Sequence, residues 1–153
     1  MKIDEVMNRT VFTCRAHDTL KAATQLMWDH DIGAIVVTDN HNKPIGMVTD
    51  RDLLMCAYTS GRALDHQQVA QAMSKDIYTV QLGQTVRAAE AMMRGKQVRR
   101  LVVVDAAGKL SGILSLNDLA LAAGSRRDVK PEDVAITLAS ICQPRPNSAA
   151  AHN

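Results

Sequence analysis

The chain has 153 residues, 46% of them apolar, and a formal net charge of +2. A charge this near neutrality gives no argument for nucleic acid as a partner, and without a run of about 18 apolar residues there is none for a membrane span. Three widely spaced cysteines without a CxxC pattern do not make a disulfide framework, and the opening MKIDEVMNRT lacks the apolar stretch of a secretory signal. A reducing, cytoplasmic setting is therefore expected. Aromatic residues are only 3%, so Ala, Val, Leu, Ile and the eight Met must fill the interior.

Laid over itself at an offset of 66 residues, the chain matches without a gap from Met7–Ala57 onto Met73–Ala123. That is a tandem duplication. Each unit begins with a short β-branched stretch that predicts a strand, Val11–Thr13 and then Ile77–Thr79. A helix follows behind an N-cap threonine, Thr19 or Thr85. Its apolar face is Leu20, Ala23 and Met27 in one unit, and Val86, Ala89 and Met93 in the other. Buried strands are predicted at Ala34–Val37 and Leu101–Val104. Turns at Asn40–Lys43 and Ala106–Lys109 lead to return strands Ile45–Val48 and Leu110–Leu114. Helices Asp50–Tyr58 and Leu116–Ala123 close the units.

The order is β-α-β-β-α, twice. Units of this size are marginal alone, so the expected fold is α+β, with the two repeats packed by pseudo-twofold symmetry around a shared core. Residues 1–58 are read as repeat one with an N-terminal lead-in, 59–72 as a linker and 73–124 as repeat two. A short helix over Gln67–Met73 leads into repeat two. Residues 125–142 are read as a C-terminal helical segment whose helix starts at Pro131, with Val134, Leu138 and Ile141 on its apolar face. Residues 143–153 are expected to be a flexible tail.

The chemistry concentrates in Val98–Leu119, where a basic pair and two strands lead into Gly112-x-x-Ser115-x-x-Asp118 at the start of a helix. First-turn amides lack intrahelical partners and the helix dipole is positive there, which suits an anion. A hydroxyl adds a further donor, and an acid three residues later suits sugar hydroxyls. A phosphate joined to a ribose is a nucleotide. The same residues also spell a capping box, in which the acid reaches back to the N-cap amide. The two uses can alternate. Arg99 and Arg100 offer fork-like cationic donors, whereas their counterparts Gly33 and Ala34 offer none. Adjacent strand residues face opposite sides, so one of the two arginines faces a ligand. No nucleophile elbow, Walker A loop or HExxH is present, and the five histidines show no metal-ligand spacing. The chain reads as a binding module, with no catalytic residues and no metal. Trp28, on the outer part of its helix, marks a candidate dimer contact.

The duplicated pattern HDIGAIVVTD…GMVTDRDL and QVRRLVVVD…GILSLNDL resembles the CBS-domain pair, or Bateman module, over roughly residues 3–124. The second half is also similar to a repeat in the nucleotide-sensing regulatory subunit of AMP-activated protein kinase. The resemblance implies a bacterial stand-alone regulator that senses an adenosine-containing ligand (AMP, ADP, ATP, NAD or S-adenosylmethionine) in the cleft between repeats. Such a module has no catalytic cofactor, signals to an effector protein by conformational change and commonly forms a homodimer through its helices. Nucleotide contacts carry over to Thr49 and Asp52 and to Ser115 and Asp118, with Arg100 ahead of Arg99 on phosphate. Adenine walls carry over to Val11, Thr13 and Ile32, and to Ile77, Thr79 and Val98. Many bacterial members have Pro where this chain has Val36 and Val102, so here a backbone donor is restored. The competing reading is a ligand-free interaction or stress-response scaffold, in which the two helix starts are only caps.

Overall fold

A computed structural model describes residues 1–125 and 128–144. Repeat one contains β1 (Thr13–Cys14), α1 (Leu20–His30), β2 (Ala34–Thr38), β3 (Pro44–Thr49) and α2 (Asp50–Ser60). Repeat two contains β4 (Thr79–Gln81), α3 (Val86–Lys96), β5 (Arg100–Val104), β6 (Leu110–Ser115) and α4 (Leu116–Ser125), and α5 (Pro131–Ile141) follows. Short 3₁₀ turns occupy Ile3–Glu5, Leu64–His66 and Val69–Gln71, the last where a short helix over Gln67–Met73 is expected. The strand orders are β1-β2-β3 and β4-β5-β6. This is the duplicated α+β arrangement that the sequence predicts. Arg126 and Arg127 and the tail from residue 145 lie outside the described residues.

The first strand of each repeat falls later than its β-branched stretch. A strand is defined by its partner, and β1 runs parallel to β2 with Thr13 opposite Val36, as β4 does to β5 with Thr79 opposite Val102. One residue upstream, the carbonyls of Phe12 and Tyr78 accept from the amides of Val36 and Val102 at 3.4 and 3.0 Å. These are the two donors that a proline in the middle strand would remove. The turns that return the chain hold Asn42 at φ 61° and Gly108 at φ 76°. Each is organised by an aspartate: Asp39 Oδ1 accepts from the amides of His41 and Lys43, and Asp105 Oδ1 from those of Ala107 and Lys109. Chiefly through the Lys43 amide, these bonds hold the Asp39 carboxyl below its ordinary pKa.

Strand alternation divides the apolar residues. Ile35 and Val37 join Leu20, Ala23, Met27, Val48, Leu53 and Val69 in one buried cluster. Val36, on the opposite face of β2, packs with Val102 and Val104 of β5. Val36 and Val102 are equivalent positions of the two repeats, and both are completely buried.

Contacts divide the chain into two compact units that do not follow the sequence repeats. One holds Met1–Met7, Gly83–Leu101 and the described chain from Leu114 on, and the other holds Asn8–Leu82 and Val102–Ile113. In the first, the buried Ile3 donates its amide to the Gln84 carbonyl at 2.9 Å, and the Val86 amide donates to the Met1 carbonyl at 3.1 Å. In the second, the buried Val69 donates to the Asp18 carbonyl at 2.8 Å, and the Leu20 amide donates to the Gln67 carbonyl at 2.9 Å. The pattern is the same, displaced by the repeat offset. The lead-in therefore completes the start of α3, and the linker completes the start of α1.

The last helix, α5, packs on α3 and α4. Its fully buried residue is Thr137, which accepts from the Arg94 guanidinium and donates to the Asp133 carbonyl, both at 2.8 Å. Leu138, expected on the apolar face, is 46% exposed. A polar residue takes the central place because a hydrogen-bonded hydroxyl is inexpensive to bury. Among the described residues no helix is long and apolar enough to cross a membrane.

The lead-in yields a direct test. Ile3→Ala should lower stability by about 2–4 kcal/mol, as large-to-small changes at fully buried sites do. Denaturant unfolding followed by circular dichroism measures it, and an unchanged midpoint would show that the lead-in is not part of the cooperative unit.

Candidate functional site

Both Gly-x-x-Ser/Thr-x-x-Asp segments sit where a return strand passes into a helix. At α2, the Asp52 amide donates to Thr49 Oγ1 at 3.2 Å, and the Thr49 amide donates to Asp52 Oδ2 at 2.9 Å. At α4, the Asp118 amide donates to Ser115 Oγ at 3.2 Å, while the Ser115 amide and hydroxyl converge on Asp118 Oδ2 at 2.7 and 2.6 Å. Each acid thus closes a reciprocal cap on its own helix. All four residues are half-buried, within reach of a small molecule.

The surroundings of the two helix starts differ. The Leu116 amide donates to the Arg99 carbonyl at 2.9 Å, which pins the arginine pair beside the start of α4. Arg99 is exposed, and Arg100, the first residue of β5, is half-buried. Val98 is half-buried just before them, its amide on the Met93 carbonyl at 3.1 Å. One compact unit therefore gathers Val98, Arg99, Arg100, Ser115 and Asp118. At α2 the equivalent bond runs from the Asp50 amide to the Gly33 carbonyl at 3.2 Å, with no cation in the strand start. Thr49 and Asp52 lie in the other unit, as do Val11, Thr13, Ile32, Ile77 and Thr79. Thr13 and Thr79 are exposed on β1 and β4, and Ile77 is half-buried. Val11 packs against Val36, Val102 and Val104, and Ile32 against the Leu20–Met27 cluster, so both also serve the core.

Asp118 also lines a cavity of about 210 Å³ with Glu5, Val6, Leu121, Ala122 and Ser125. That is below the roughly 300 Å³ at which small-molecule pockets begin, so this cavity by itself does not enclose a nucleotide.

Some features had no legible signal in the motif. A Cβ on Gly46 would stand 2.9 Å from the Ser74 carbonyl. The neighbouring Met47 exchanges two main-chain hydrogen bonds with Ser74, at 3.0 and 2.9 Å. The glycine is thus required by a chain passing against it, whatever else the motif does. The Arg15 guanidinium ties β1 to the end of β2 through the Thr38 hydroxyl and the Asp39 carbonyl. Cys14 is buried, and burial together with Asp18 pushes its thiol up to about 11, so it stays protonated and unreactive at neutral pH. Among the described residues no group of three or more His, Cys, Asp or Glu is placed to hold a metal ion.

With this geometry in hand, comparison with known proteins places the chain in a family. The CBS-domain model matches residues 3–58 and 69–125, and the chain belongs to the CBS-domain family as a tandem pair. It is 33% identical to the Methanopyrus kandleri protein MK0525 over 78% of this chain and 61% of that one. Against the CBS domain-containing protein YhcV of Bacillus subtilis, identity is 33% over 78% of this chain and 83% of the relative. A CBS-domain protein of Thermoplasma acidophilum, TA0289, shares the fold with a TM-score of 0.76 and 23% identity, over 92% of this chain and 75% of that one. The CBS-domain pair of MJ0100 was solved in complex with 5′-methylthioadenosine and S-adenosylmethionine. It shares the fold at a TM-score of 0.70 and 17% identity, over 79% of this chain and 98% of that one.

Two tests follow from the local geometry. Thr49→Ala and Ser115→Ala should each lower stability by about 1 kcal/mol, the usual loss on removing a cap. Ser115→Ala should show the larger drop in denaturant unfolding, because its hydroxyl also donates to Asp118. In thiol titration with an aromatic disulfide at pH 8, Cys142, which is exposed, should react ahead of Cys14. Equal rates would contradict the protected state of Cys14.

Proposed function

We propose that the chain is a non-catalytic regulatory module that senses an adenosine-containing nucleotide, AMP, ADP, ATP or NAD, with S-adenosylmethionine a further candidate. The observation that carries this is the Arg99–Leu116 main-chain bond, which sets a basic pair beside the Ser115–Asp118 helix start and has no charged counterpart in repeat one. Phosphate takes the Arg100 guanidinium, with Arg99 next, and the first-turn amides of α4. Ribose hydroxyls take Asp118, and adenine takes the apolar and backbone groups around Val98. Val11, Thr13, Ile32, Thr49 and Asp52 form the corresponding set of repeat one. The fold is one in which adenosine compounds are known to bind, as MJ0100 illustrates.

The Ser115 amide and hydroxyl both use Asp118 Oδ2, which leaves Oδ1 for a ribose hydroxyl. Ligand binding adds contacts at the capped start of α4, and the local change there is what an effector protein reads. A ligand shifts such an equilibrium only by its preference for one state. The module works in the cytoplasm as a homodimer. Support for the dimer comes from the face of α1 and α2, where Trp28 is 86% exposed, Tyr58 80% and Leu54 66%. That face holds an apolar groove of about 410 Å³. On repeat two, α5 covers α3 and α4. Apolar groups of this size are seldom left in water.

The second reading, a ligand-free interaction or stress-response scaffold, is favoured by the capping bonds that both acids already make. Calorimetry with AMP, ADP, ATP, NAD and S-adenosylmethionine separates the two. Binding of at least one compound is expected, with Asp118→Ala weakening it at least tenfold and more than Asp52→Ala. Silence across all five favours the scaffold, and equal effects at Asp52 and Asp118 remove the asymmetry between repeats. A monomer by light scattering at micromolar concentration would count against the dimer.

A further inference from the structure

Helix α3 carries a carboxylate that neither the fold nor the nucleotide site uses. Glu90 is 4% exposed, and its Oε1 has no hydrogen-bond partner among the described residues. Burial, and then the nearby Asp133, raise its pKa above the ordinary glutamate value, against the pull of Arg94 and Arg87. A buried acceptor without a donor is a rare and unfavourable arrangement. The equivalent residue of repeat one is Thr24, whose hydroxyl is satisfied by the Leu20 carbonyl at 2.7 Å. The helix therefore has no need of an acid at this position.

Glu90 lines a cavity of about 540 Å³ with Arg87, Arg94, Asp128, Lys130 and Asp133. That volume lies within the roughly 300–1,000 Å³ of small-molecule sites. Its lining side chains carry both signs, three acids and three bases, and Met1 lines it as well, so a ligand carrying both charges finds partners for each. Arg94 donates to Thr137, and Arg87 and Lys130 are the further cationic side chains in the cavity lining. None of these residues belongs to the candidate nucleotide set.

We propose that this cavity is a binding site for a small zwitterion of the free amino acid class. The ligand's ammonium group sits at the Glu90 and Asp133 side of the cavity, and its carboxylate is directed to Arg87 and Lys130. A cation at this wall favours the charged Glu90 carboxylate that burial alone disfavours. Because α3 contributes Glu90 and Arg87 while α5 contributes Asp133, an occupied site fastens α5 against α3.

The test is a thermal-shift screen of the full chain against the twenty free amino acids, with propylamine and propionate as single-charge probes, followed by calorimetry. At least one amino acid should bind, more tightly than propylamine, and propionate should not bind measurably. Glu90→Gln should weaken the amino acid at least tenfold. Arg87→Ala, at an exposed position that the fold tolerates, should weaken the amino acid several-fold and leave propylamine unchanged. No binding by any of the twenty, equal affinity in the Glu90→Gln chain, or propionate binding as well as the amino acids would overturn the proposal. Each of those results leaves the nucleotide reading intact, since AMP is assigned to other residues.

Discussion

The architecture depends on two pairs of main-chain hydrogen bonds that close the starts of α1 and α3. A helix leaves its first amides without partners, and a buried start must find them elsewhere. Here the carbonyls of Gln67 and Met1 supply them, and the buried Val69 and Ile3 hold the donating segments in place. With these bonds made, the lead-in and the linker are fixed to the helix starts that they complete. The segments that look like a lead-in and a linker are structural parts of the repeats. Each also belongs to the repeat that its place in the sequence does not suggest.

A second constraint governs function. The acids best placed to hold a ribose are already committed to capping their helices. A cap contributes about 1 kcal/mol, small beside what a charged ligand can offer through guanidinium and amide donors. The caps hold the helix starts in place, and on the proposed reading a ligand adds its contacts to them. Beside the cap, repeat two has a cationic pair that repeat one lacks, its main chain held by the Leu116 amide. Asymmetry of this kind lets one duplicated scaffold present two sites of different strength, or a single site and a purely structural twin.

Much of this was legible in the residue order. The apolar spacing of Leu20, Ala23 and Met27 and of Val86, Ala89 and Met93 marked the buried faces of the first helices. The threonines before them marked the caps, both of which form. The strand runs at Ala34–Val37 and Leu101–Val104 marked the centres of the sheets. Register was not legible. Val11–Thr13 and Ile77–Thr79 have the right composition, yet the paired residues lie further on, because a short strand is set by its neighbour's hydrogen bonds rather than by its own preference. Nor was the reason for Gly46, which answers to the Ser74 carbonyl, a group remote in sequence.

By itself, then, the sequence determined the duplication, the order of elements and the capped helix starts, and it nominated candidates for phosphate and ribose. These follow from local periodicity and side-chain chemistry, which act over a few residues. Only the tertiary structure decided which segment completes which helix, that Thr137 rather than Leu138 sits beneath α5, and that Glu90 is buried with an oxygen lacking a partner. Each of those outcomes depends on groups far apart in the chain competing for the same space and the same hydrogen bonds. No local pattern encodes that competition.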